Sequence, residues 1–199
     1  MKDVLPGLLA ASSLLLSFFT LWITQFRRGR LCMTQPTLLC LKRDLPIGEP
    51  KIFLRTLLYT TASKGRVVEA MFLRVHQPAG TYTFDFWGHT EGGKLTLGSG
   101  LFVGQPGVAC DHHFNPRRGS DNFLFIAGKY RIEVFAVIAG KAKPIKLKEI
   151  QFDLDGQHAI ELLQITDLEL FLFWNSDTDS YEGCIERRPR SSDHTPLGL

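Results

Sequence analysis

The sequence predicts an all-β body, an antiparallel β-sandwich carrying one short helix, set behind a single N-terminal transmembrane helix. Three observations lead there. Residues Val4–Phe26 carry no charge and are dense in Leu, Phe, Ile and Trp. Beyond them, short runs with an apolar residue at every second position recur between Gly, Pro, Asn and Asp. Only "DGQHAIELLQI" spaces its apolar residues as a helix does.

The apolar run has the length that spans a bilayer core, about twenty residues at ~1.5 Å each. The leading "MKD" is short and nearly neutral, and no small-x-small cleavage site follows. Residues 4–26 therefore read as a retained signal-anchor and not as a cleaved signal peptide. Trp22 suits the far interface. Arg27, Arg28 and Arg30 follow the run directly, whereas only Lys2 and the amino terminus precede it, offset by Asp3. The positive-inside rule then leaves the body in the cytoplasm of a single-pass membrane protein. Residues 27–36 are expected to be a basic juxtamembrane linker, 37–187 the sandwich and 188–199 a disordered tail, because "RRPRSSDHTPLGL" is polar and aperiodic.

Within the body, "YTFDFW" places Tyr82, Phe84 and Phe86 on one face. "KIFLRTLLYTT" and "RVVEAMFLRVHQ", separated by "ASKG", read as a hairpin turning at Gly65. "IKLKEIQFDL" changes parity between Leu147 and Ile150, which a β-bulge near Glu149 reconciles. Asp155 is placed to cap the helix, whose apolar side is Ala159, Ile160, Leu162 and Leu163. Lys141, Lys143, Lys146 and Lys148 mark an exposed edge strand. "AGKYRIEVFAV" resembles the corner and following strand of immunoglobulin-like domains, with Tyr130 in the tyrosine-corner place and Ile132 where an antibody domain has its second cysteine. That resemblance implies a Tyr130 ring in the core whose hydroxyl bonds nearby backbone. Tyr130, Ile132 and Trp87 are accordingly read as structural, and the sandwich as immunoglobulin-like or C2-like.

The formal net charge is +3, and three of the positive charges flank the anchor, so the body is near neutral and no nucleic-acid surface is expected. Cys32, Cys40, Cys110 and Cys184 lack the spacing of a zinc framework and read as reduced thiols. No Gly-x-Ser-x-Gly elbow or Walker spacing occurs.

Two stretches hold candidate ligands. In "GVACDHHFNPRRGS", Asp111, His112 and His113, with His89, are the candidate metal residues. Neighbours on a strand point to opposite faces, so the usable pairs are Asp111 with His113 or Cys110 with His112, each short of the three or four ligands zinc requires. In "NSDTDSYEGCIE", Asn175, Asp177, Asp179 and Glu186 have the spacing of a calcium loop, but Ser180 stands where that loop needs Gly. A turn between two strands explains the same residues.

The function expected is a membrane-anchored, non-enzymatic module that binds a partner protein, with no cofactor. Two alternatives from other classes are a C2-like lipid or calcium module using Asp121, Asp177 and Asp179, and a metal-dependent enzyme built on Asp111, His112, His113 and His89.

Overall fold

In the computed structural model, which describes residues 4–26, 29–44, 48–91, 94–98, 100–118, 123–164 and 168–187, the charge-free run is one rod. It consists of α1 (Val4–Leu21) and a π-helical turn (Trp22–Phe26). It is long and apolar enough to cross a membrane, and none of the Gly7–Thr24 stretch is buried against the body. Its hydroxyls need no outside partner. Ser12, Ser13, Ser17, Thr20 and Thr24 each donate to a carbonyl three or four residues earlier, at 2.8–2.9 Å. Such internal pairing is what hydrocarbon surroundings demand of a polar group.

The body contains β1 (Leu31–Met33), β2 (Leu38–Asp44), β3 (Glu49–Thr60), β4 (Arg66–Gln77), β5 (Gly80–Glu91), β6 (Lys94–Leu97), β7 (Leu101–Val103) and β8 (Val108–Pro116). After them come β9 (Gly128–Ile138), β10 (Ile145–Leu154), α2 (Gly156–Gln164), β11 (Leu168–Asn175) and β12 (Ser180–Arg187). Every pairing is antiparallel, as expected. The strands form one continuous path, β10-β9-β4-β5-β8-β3-β2-β11-β12, with β1 on β3, β6 on β5 and β7 on β4. Its two ends, β10 and β12, touch, so the sheet is nearly closed and barrel-like.

Curvature has a local cause. The register slips at three places, between Val68 and Ala70, Phe86 and Gly88, and Lys146 and Lys148. Each extra residue bends its strand and increases the twist. The last slip lies just before Glu149 and reconciles the parity change read from the sequence. Gly88 is required at the second: a Cβ there would stand 2.6 Å from the Thr96 carbonyl oxygen.

Alternate residues fill a single core. Ile132 is fully buried between Val75 of β4 and Ile150 of β10, and Leu73 faces Val134. Tyr130 is buried and stacks on Phe152 at 5.0 Å. Its hydroxyl accepts from the Ile126 N–H and donates to the Ile126 carbonyl, both at 2.9 Å, so it holds the segment entering β9. Phe84 is fully buried, and Tyr82 and Phe86 pack on the core from the same strand.

Three expectations are corrected. β3 and β4 do not pair as a hairpin, because β7 takes the start of β4 and Gly104 accepts the Thr60 N–H. Gly65 lies under the Phe102 ring, where any Cβ would clash. Leu31–Met33, inside the segment expected to be linker, pair with Leu58–Thr60, because Leu31 and Met33 reach the core. Helix α2 is capped by Asp155, whose Oδ1 accepts the His158 N–H at 2.9 Å, but only Ala159 and Leu162 are buried; Ile160 and Leu163 face outward because the helix rests on β11 along a narrow stripe. Trp87 is the bulged residue of β5 and lies on the outer surface, its ring under Lys51 Nζ at 4.4 Å. β10 ends the strand path and carries Lys146 and Lys148, whereas Lys141 and Lys143 lie in the connection before it. The tail from 188 lies outside the described residues.

Removing the Tyr130 hydroxyl by Tyr130→Phe is expected to cost about 1–2 kcal/mol, two hydrogen bonds' worth. Ile132→Ala should cost more, about 2–5 kcal/mol, because it opens a cavity in the middle of the core. Denaturant unfolding of both variants checks the order; a Tyr130→Phe protein as stable as the parent would show that the corner contributes nothing.

Candidate functional site

Alternation along β8 splits the polar stretch in two. Opposed residues in antiparallel strands share a face. Thr56 opposes Cys110, and Leu54 and His89 flank His112 on its two sides. These side chains turn inward. Arg55 and Thr90 flank Asp111, and Phe53 and Gly88 flank His113, all on the outer face.

The inward half is a polar pocket in an apolar core. His112 is completely buried, with its Nε2 3.5 Å from Cys110 Sγ and its ring 6.1 Å from that of Phe86. Burial, assisted by His89, pushes its pKa down to about 4, so the imidazole is neutral. The buried Thr56 Oγ1 and His89 Nδ1 have no hydrogen-bond partner among the described residues.

The outward half is a network of matched charges and rings. Asp111 takes Arg55 in a two-pronged grip, Nε at 2.6 Å and Nη2 at 2.8 Å, which raises the guanidinium pKa. His113 Nε2 lies 2.9 Å from Thr90 Oγ1, and its ring meets Phe53 edge-on at 4.3 Å. Burial brings its pKa to about 4; Asp111 pulls the other way, and Lys42, Lys51 and His89 offset that pull. Lys42 Nζ sits 4.6 Å over Phe53 and 3.4 Å from Glu169. A groove of 220 Å³ opens here, with Leu38, Cys40, Phe53 and Phe171 among its walls.

The sheet therefore separates the four candidate metal residues. His89 and His112 are inside and Asp111 and His113 outside, with the Asp111 carboxylate already engaged by Arg55. Among the described residues no group of three His, Cys, Asp or Glu gathers within reach of one ion. The calcium set is dispersed as well. Glu186 opposes Glu169, six positions along the ladder from the Asn175–Ser180 pair, or roughly 20 Å at ~3.3 Å per residue. Asn175 Oδ1 accepts the Asp177 N–H at 2.9 Å and its Nδ2 donates to Glu182, an Asx turn closing the β11–β12 hairpin. Asp121, invoked for a calcium-dependent loop, lies outside the described residues.

The groove itself escapes a reading by motif. Its signal in the sequence is that β3 is apolar or aromatic on both faces, with Phe53 and Leu57 between the buried Ile52, Leu54 and Leu58.

No family model and no curated protein matches the chain. Among solved structures, the CooA pilin subunit from enterotoxigenic Escherichia coli aligns with 61% of this chain and 99% of its own, at 10% identity and a TM-score of 0.29. A likeness that distant carries no argument about fold or function.

The two depressed histidines make stability depend on pH. Between the ordinary value of 6.5 and about 4, the unfolded chain binds protons at positions 112 and 113 that the folded chain does not. Stability is therefore full above 6.5 and falls as pH drops toward 4, with a slope of at most ~1.4 kcal/mol per pH unit for His112 and less for the half-exposed His113. Glu133, held at about 2 chiefly by Lys146 and then His76, contributes below 4.5, a separate window. His112→Asn should lower the slope of the upper window, leaving only the His113 share, and leave the lower window intact; urea midpoints across pH that keep the parental slope would refute the assignment.

Proposed function

We propose that the chain is a membrane-tethered, non-enzymatic β-module that binds a partner protein and organises a complex at the cytoplasmic face. The observation that carries this reading is the outer groove over β5, β8, β3, β2 and β11. At 220 Å³ it is smaller than the ~300–1,000 Å³ typical of small-molecule sites. Its apolar floor is rimmed by two ion pairs, Arg55–Asp111 and Lys42–Glu169, and by a neutral His113. An occupant matched to this lining is a segment of a partner protein that inserts one aromatic or aliphatic side chain and leaves both ion pairs in place.

The chemistry of the lining supports binding over turnover. Asp111 is committed to Arg55, and His113 meets Thr90. Tethering raises local concentration, so a one-pocket contact suffices. In this reading the body serves as immunoglobulin-like and C2-like modules do, as a rigid β-scaffold presenting a binding face. The cytoplasmic assignment rests on the arginines that follow the anchor.

A photo-crosslinking residue at position 171 in native membranes is expected to form one dominant adduct, absent when the same residue replaces the exposed Asp153 and lost in Phe53→Ala. Adducts of equal yield at both positions would count against the groove. Sidedness is read separately at Cys184, which is free and exposed. A membrane-impermeant maleimide should label it only after permeabilisation, and labelling in intact cells would put the body on the other side.

A further inference from the structure

A second cavity lies where the chain leaves the membrane helix. It measures 750 Å³ and is built from three segments: Gly29–Leu31 just past the helix, Lys64–Arg66 in the β3–β4 turn, and the β9–β10 connection around Lys141 with Lys146. Five of its lining residues are cationic, Arg30, Lys64, Arg66, Lys141 and Lys146, and none is acidic. Lys146 is already held by Glu133 at 2.6 Å and Glu149 at 2.7 Å, and Arg66 Nη2 donates to the Gly29 carbonyl at 2.8 Å. Arg30, Lys64 and Lys141 make no ion pair among the described residues. Like charges brought together without an anion repel one another, which an anionic ligand would relieve.

The position of the cavity selects the ligand. Ser63 Oγ donates to the Thr24 carbonyl in the last turn of the membrane rod at 3.3 Å. Arg30 and Thr61 exchange two hydrogen bonds, Arg30 N–H to Thr61 Oγ1 at 2.9 Å and Thr61 N–H to the Arg30 carbonyl at 3.0 Å. The turn bearing Lys64 is thus pinned to the membrane exit. Gly29 lies three residues past Phe26, at most ~10 Å of chain. The polar layer of a bilayer is itself ~5–8 Å deep on each side. Val67 and Phe102 add an exposed apolar flank, paired across β4 and β7 with the Phe102 ring over Gly65. Cations beside exposed apolar groups are the composition of a membrane-interface site.

We infer that this cavity binds the phosphorylated headgroup of an anionic phospholipid, held by Arg30, Lys64 and Lys141 with Arg66 behind them. The volume exceeds what one phosphate group fills and admits a headgroup that carries more than one. The site takes the membrane tether of the proposed function as given and needs nothing from the partner groove, so loss of the groove crosslink would leave it standing.

The test uses the full chain reconstituted in nanodiscs of phosphatidylcholine alone, or of phosphatidylcholine with a minority of phosphatidylinositol bisphosphate. A headgroup-photoreactive form of that lipid should label peptides spanning 29–31, 64–66 and 138–146, and the anionic lipid should raise the melting temperature. In the Arg30→Gln/Lys64→Gln/Lys141→Gln protein, labelling should fall at least about tenfold, each lost contact to an anion being worth ~1 kcal/mol near the surface, while Lys129→Gln on the far end of β9 leaves it unchanged. The single variants Lys64→Gln and Lys141→Gln, both at exposed positions, give the same reading with smaller losses if the triple variant does not fold. Labelling that is undiminished in all variants, or that maps elsewhere, overturns the site. So does equal stabilisation of phosphatidylcholine discs by inorganic phosphate or soluble inositol phosphate, which would assign the cavity to a free anion.

Discussion

The register between β3 and β8 determines what the polar stretch Cys110–Phe114 can do. Ile52 faces Phe114 and Leu58 faces Val108, and the ladder between them leaves no freedom to rotate a side chain to the other side. A shift by one residue would exchange every face. Slipping β8 in this way would place His113 and Asp111 in the core and push the fully buried Phe114 into water. The cost of exposing Phe114, ~2 kcal/mol or more, together with that of burying the Asp111 carboxylate, holds the register and with it the division of the histidines. One apolar requirement thus decides two pieces of chemistry: a neutral His112 beside Cys110 indoors, and an Asp111–Arg55 pair outdoors.

On the outer face the charges are managed by pairing and by rings. Lys42 and Lys51 are both nearly buried, which would be costly for a bare ammonium. Each lies over an aromatic face, Phe53 and Trp87, and Lys42 also reaches Glu169. Rings and carboxylate replace part of the lost hydration. Burial is the main reason His113 stays unprotonated, and the two lysines add to it, so a strand that offers metal ligands in sequence carries a neutral, hydrogen-bonded imidazole.

What was legible in the sequence follows from range. Period-two alternation and the helix spacing are local, and they carried most of the strands, though not β1, β2 or β6, together with α2, its Asp155 cap and the bulge near Glu149. The lone apolar rod was equally local. Partner choice is not: β3 and β4 are neighbours in sequence, yet β7 arrives thirty-five residues after Arg66 begins β4 and takes the pairing that a hairpin would have used. The closure of the sheet is invisible for the same reason, since β10 and β12 meet only through the whole path. Both cavities depend on such convergence. Arg30, Lys64 and Lys141 are unremarkable one at a time, and Phe53 becomes a groove wall only once β2 and β8 lie on either side. Trp87 shows the local limit, because a single-residue bulge sets its ring on the outer surface, a placement that alternation alone does not reveal.

The joint between rod and body carries more consequence than its length suggests. Residues 29–33 are not a free tether: Arg30 is bonded twice to Thr61, Arg66 holds Gly29, and Leu31 and Met33 enter the core through β1. In the proposed tethered reading, the anchorage of residues 29–33 limits how far the body stands from the lipid. Phe53 lies seven residues along β3 from Thr60, which β1 pairs near the membrane exit, so the groove stands at most ~23 Å from that end. A flexible linker would sweep the groove through a wide shell and accept partners at many heights. In the proposed tethered reading, the pinned residues restrict the groove to segments presented close above the lipid surface, and that reading then favours partners that are themselves membrane-bound.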